Sequence, residues 1–121
     1  MTMRKALPLL LSLCLILTAC QPIEMSARDA IATAKGYLDS AKQHHPECAS
    51  GGHSATCDVI ARGVAAKDTV ADAVNIYCAS PSYTDQGGAC TPNKDAEPKL
   101  KEALKSLSTI MRDVKGIGGV K

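Results

Sequence analysis

The apolar positions of this chain form one continuous block followed by three periodic ones. Ala6 to Leu17 is apolar except for Pro8 and Ser12. Further on, Ala27, Ala30, Ile31, Ala34, Leu38 and Ala41 recur at three- and four-residue steps, which predicts a helix of about 20 residues. Ser26 followed by Asp29 reads as the capping pair that opens it, and Pro46 ends it. Gly51 and Gly52, flanked by Ser50, His53 and Ser54, mark a turn. Val59, Ile60, Val64, Val70, Ala71 and Val74 then trace a second helical face as far as Cys78. Pro81, Gly87, Gly88 and Pro92 predict a loop from Ala79 to Lys94. A third helix starts near Asp95, tolerates Pro98 in its first turn, and buries Leu100, Leu104, Leu107, Met111 and Val114. Gly116, Gly118 and Gly119 end it.

Three helices of similar length, joined by one short and one medium connection, predict an all-α fold, a small antiparallel three-helix bundle over residues 26–115. Residues 116–121 form a glycine-rich tail. The chain has 121 residues, 45% of them hydrophobic, yet no Trp, no Phe and only three Tyr. Tyr37, Tyr77 and Tyr83 are too few for a stacking platform for single-stranded nucleic acid or for an aromatic interface cluster. The core must therefore be built largely from small residues.

The continuous apolar block is a different kind of segment. It is shorter than the roughly 18 to 20 residues a membrane-spanning helix needs. Arg4 and Lys5 precede it, and it runs into Leu17-Thr18-Ala19-Cys20. This order resembles the signal peptide and lipobox of bacterial lipoproteins. The resemblance implies that residues 1–19 are removed, that the Cys20 thiol carries a diacylglyceryl group, and that its new amine is acylated. It also implies that residues 20–25 are a lipidated cysteine and short tether to a membrane. Gln21, rather than Asp, after that cysteine implies the outer membrane in the Gram-negative branch. No cofactor is expected beyond the covalent lipid.

Removing that segment changes the charge and cysteine arithmetic. The formal net charge of +2 falls to zero once Arg4 and Lys5 leave, with 12 acidic residues balanced by as many basic ones. A neutral mature chain argues against a nucleic-acid partner. Of six cysteines, Cys14 leaves and Cys20 takes the lipid. Cys48, Cys57, Cys78 and Cys90 remain, which in an exported domain read as two disulfides. Cys57 and Cys78 lie near opposite ends of the second helix, about 30 Å apart at 1.5 Å per residue. The pairing that respects this distance is Cys48 with Cys57 and Cys78 with Cys90, one closing each connection. Each would contribute about 2.5 to 3 kcal/mol in the chain-entropy model.

Candidate chemistry is sparse. His44, His45 and His53 cluster with Cys48 and Cys57 in sequence, and His with Cys is a zinc or copper ligand set. Oxidised cysteines cannot ligate, so no metal is expected, and the three histidines remain weak candidates only. Asp58, Asp68 and Asp72 read as a solvated helix face. No nucleophile elbow, phosphate-cradling glycine loop or zincin helix is present, so a catalyst is not expected. Lys67 falls on the apolar arc of the second helix, where it must find a carboxylate or reach past its neighbours. Lys101, Lys105, Arg112 and Lys115 fall within about an 80° arc of the third helix, with Ser108 among them. They form a flank of the core or a docking strip for an anionic partner or lipid head groups.

The tether adds direction. Gln21 to Met25 reach less than about 20 Å, so in an up-down-up bundle the Cys78 to Cys90 loop lies near the membrane. The histidines, the Cys48 to Cys57 loop and Lys121 lie at the far end. The expected function is that of a lipid-anchored, non-catalytic envelope module, an interaction or accessory protein of exclusion or immunity type that meets a protein partner. A second expectation is a structural tether. The chain resembles the major outer-membrane lipoproteins of enterobacteria in its lipobox, its helical character and its C-terminal Lys121, the residue that family joins to peptidoglycan. The family's continuous heptad coiled coil is missing here. A third is a metal-binding module using His44, His45 and His53.

Overall fold

The computed structural model describes residues 21–117. The signal-like segment, Cys20, Gly118, Gly119 and Lys121 lie outside the described residues. Helix α1 is Ile23–His44, α2 is Ala55–Tyr77, α3 is the single turn Tyr83–Gln86, and α4 is Glu97–Gly116. Short 3-10 turns at Pro46–Cys48 and Lys94–Ala96 follow α1 and lead into α4. There is no strand among the described residues, and the three long helices form the expected antiparallel bundle. α2 is central and packs most extensively on α4, then on α1, while α1 and α4 touch least.

Local signals explain the ends. α1 begins four residues earlier than the Ser26 cap would place it, with Pro22 as N-cap and no side-chain cap. The fixed φ of Pro22 suits the entry to a helix, and the extra turn brings Ile23 against the core. Asp29 instead accepts a hydrogen bond from Gln21 Nε2 at 2.9 Å. Ser54 caps α2 through its hydroxyl, which accepts from the Cys57 N–H at 3.2 Å. Asn93 accepts from the Asp95 N–H and turns the chain into α4, where Pro98 sits in the first turn.

The core is close to the apolar pattern, with physical exceptions. Ala27, Ala34, Leu38 and Ala41 of α1 are buried, as are Leu100, Leu107, Met111 and Val114 of α4. Leu104 is only partly buried and Ala103 takes the core position, because Ala103 faces the tight α2 contact and Leu104 the looser side toward α1. On α2 the buried line runs through Ile60, Gly63, Ala66, Val70, Val74 and Tyr77, with Val59 and Val64 at its edges. Lys67 lies on that line and ends 3.6 Å from Asp68 Oδ1, so its carboxylate comes from its own helix.

Both disulfides join the expected partners, Cys48 to Cys57 and Cys78 to Cys90, with Cα separations of 5.2 and 4.4 Å. The second connection is more ordered than a loop. Its α3 turn buries Tyr83, 3% exposed, and the Asn75 side chain ties it down. Asn75 Nδ2 donates to the Pro81 carbonyl and Oδ1 accepts from the Thr84 N–H. The Thr91 and Asn93 N–H groups donate to the Cys78 and Tyr77 carbonyls. Arg28 lies over the Tyr83 ring, 5.5 Å from its centroid, which places this whole connection at the N-terminal end of α1.

Tyr77 is buried at the same end, and its phenol pKa is pushed above the ordinary value of 10.0. Burial is the main cause, followed by the carboxylates of Glu24 and Glu97, and Lys101 partly offsets them. The fold favours the neutral phenol. This contribution is therefore complete below about pH 10 and is lost as pH rises through the raised folded value. In an alkaline absorbance titration, Tyr77→Phe should remove a late tyrosinate step and flatten the loss of stability above that pH. A late step that survives the substitution would assign it elsewhere.

The helices approach closely at Gly63. A Cβ there would lie 2.7 Å from Leu38 Cδ2 of α1 and 3.2 Å from Val114 Cγ2 of α4. Leu38 and Val114 are themselves buried, so neither can swing clear. Gly63→Ala should cost about 1 to 3 kcal/mol through overpacking, although alanine is the better helix former. Gly36, on the exposed face of α1, has nothing within 4 Å of its would-be Cβ. Gly36→Ala should therefore stabilise by about 0.5 to 1 kcal/mol. Urea unfolding of the two variants should move the midpoint in opposite directions.

Candidate functional site

Grooves between helices run along the surface of the bundle. The wider one runs between α2 and α4 on the side away from α1, with a volume of about 680 Å³. Ala65, Ala73, Ile76, Ala103 and Ile110 line it, and Arg62, Asp72, Lys99 and Glu102 stand around it. Ile76, 63% exposed, is one of two large apolar side chains most open to solvent among the described residues. The charges around this groove have both signs.

The second groove, about 370 Å³, separates α1 from α4. Its α1 wall carries Ala30, Thr33 and Tyr37, and its α4 side carries Leu104, Met111 and Arg112. The basic strip enters this groove with two of its four residues, Arg112 and Lys115. Lys101, Lys105, Arg112 and Lys115 are all exposed along α4, and Ser108, Arg112 and Lys115 line the groove. Their circumstances differ. Lys101 is paired with Glu97 at 3.2 Å, one helical turn away. Lys115 reaches across to α1, its Nζ 4.7 Å from the centroid of the Tyr37 ring. Lys105 and Arg112 have no carboxylate partner among the described residues.

The histidines are not brought together as ligands. His44 Nδ1 lies 2.8 Å from the Ser40 carbonyl on its own helix, and His45 Nδ1 lies 3.2 Å from Glu47 Oε1. His53 is exposed in the turn before α2. Among the described residues, the group with ligand atoms close enough for one ion is Glu47, Cys48 and Cys57. Its two sulfurs are joined in a disulfide, which leaves a single carboxylate. Asp58, Asp68 and Asp72 are exposed on α2.

Sequence reasoning found the basic strip and missed its setting. The contribution of Tyr37 and Thr33 from α1 depends on how two helices distant in sequence are rotated against each other, and no local pattern carries that. No described helix is long and apolar enough to cross a membrane. No protein-family model, curated protein or solved structure matches this chain.

Proposed function

We propose that this chain is a small lipoprotein of the cell envelope, held in the outer membrane by a lipid on Cys20. Its bundle then acts as a non-catalytic interaction module, of an immunity or exclusion type by its size and location. The observation that carries this reading is the position of Cys20. It ends a basic, apolar and small-residue sequence of lipobox form, and only Gln21 and Pro22 separate it from the first residue of α1. Fully extended, that link spans about 11 Å between the Cα atoms of Cys20 and Ile23. A lipid at Cys20 would therefore seat the end bearing the Cys78–Cys90 connection against the leaflet. The Cys48–Cys57 end and the close of α4 would face away from it. Each buried methylene of such a lipid contributes about 0.8 kcal/mol, so two or three chains anchor a domain of this size without a spanning helix.

The test is fractionation of cells fed an alkyne palmitate. Wild-type protein should carry the label and sediment with outer membranes. Cys20→Ser should lose the label and the mature-size band, and should leave the outer-membrane fraction. A Cys20→Ser protein that keeps both its processing and its membrane association would refute the anchor.

A further inference from the structure

We infer that the groove between α1 and α4 is a docking site for an acidic amphipathic helix of a partner protein. This deepens the interaction-module reading and rests on it. The inference begins with the distribution of charge on the two walls. On the α4 side, Arg112 and Lys115 line the groove, and Lys105, seven residues before Arg112, falls on the same flank of the helix just outside that lining. On the α1 side, the groove-lining residues Ala30, Thr33 and Tyr37 are uncharged, and the one acidic residue, Asp29, is at the Gln21 end and already hydrogen-bonded. The half of the groove toward the ends of α1 and α4 therefore has cations and no carboxylate along its lining.

Between these walls the floor is apolar, with Leu104, Met111 and Ala34. An apolar floor beside a basic edge is complementary to a helix that presents apolar residues at i, i+3, i+4 and i+7 and carboxylates on one flank. The strip from Lys101 to Lys115 is about 21 Å long at 1.5 Å per residue, the length of a partner helix of about 14 residues. The same cations could instead meet anionic lipid head groups, but their order opposes it. Lys101, the one nearest the Gln21 end of the bundle, is paired with Glu97, whereas the cations without a carboxylate lie progressively farther from that end. A head-group site would need the reverse. The α2–α4 groove is larger, but the mixed charges around it specify no occupant.

The test uses the full-length lipidated chain in detergent micelles and a designed peptide of about 14 residues, with leucines at i, i+3, i+4 and i+7 and glutamates on its flanks. The expected result is that the peptide shifts the NMR signals of Tyr37 and the Met111 methyl, and that added salt weakens the effect. Lys105→Glu with Arg112→Glu should reduce affinity on the order of tenfold or more. The same peptide with lysines for glutamates should prefer the double variant. Lys105→Gln with Arg112→Gln, which adds no repulsion, should give a smaller loss and covers the case in which the reversal disturbs folding. Binding that is unchanged by either double variant would overturn the inference. So would shifts at Ile76 and Ala73 in place of Tyr37 and Met111, or a response to phosphatidylglycerol vesicles and none to the peptide. Running the titration on Cys20→Ser as well separates the two readings. Failure of the anchor would leave the peptide response intact, and failure of the groove would leave fractionation intact.

Discussion

The bundle depends on three helices meeting at one residue without a side chain. Leu38 from α1 and Val114 from α4 both pack where a Gly63 Cβ would stand, so α2 can touch both neighbours at the same level. The surrounding core follows the same rule, with Ala27, Ala34, Ala41, Ala66 and Ala103 at buried positions. Small residues allow close approach, but each removes little apolar area from water, and burial stabilises in proportion to that area. A core of this kind gains from cross-links, and both interhelical connections have one.

The two ends of the bundle solve the packing problem differently. Toward the Cys48–Cys57 end, the glycine lets the helices close. Toward the other end, Tyr77 and Tyr83 fill the space, and the Asn75 side chain secures the turn that carries Tyr83. Two of the three tyrosines are thus spent inside, beside the disulfide of Cys78. The third, Tyr37, lies between α1 and α4 under Lys115. A central α2 that engages both neighbours leaves α1 and α4 in light contact, and the groove between them follows from that asymmetry.

Much of this was legible in the sequence. Apolar spacing at three and four residues locates the three long helices, and the length of α2 between Cys57 and Cys78 selects the disulfide pairing. The misreadings were local contests won by tertiary contacts. Ser26 looked like a cap, but Pro22 and the burial of Ile23 extended α1 past it. The glycines and prolines between Ala79 and Lys94 concealed a helical turn whose reason is the burial of Tyr83 against other parts of the fold. The basic strip was visible on one helix, and the wall opposite it was not.

The sequence by itself determined the helical class, the antiparallel order, the disulfide connectivity and the near absence of aromatic surface, because each is a matter of spacing or composition along one chain. Only the tertiary structure decided which glycine stands where a side chain has no room, which leucine yields its core place to Ala103, and which cations find partners. Those outcomes depend on the rotation of each helix about its own axis relative to the others. That rotation is set by packing all three helices at once.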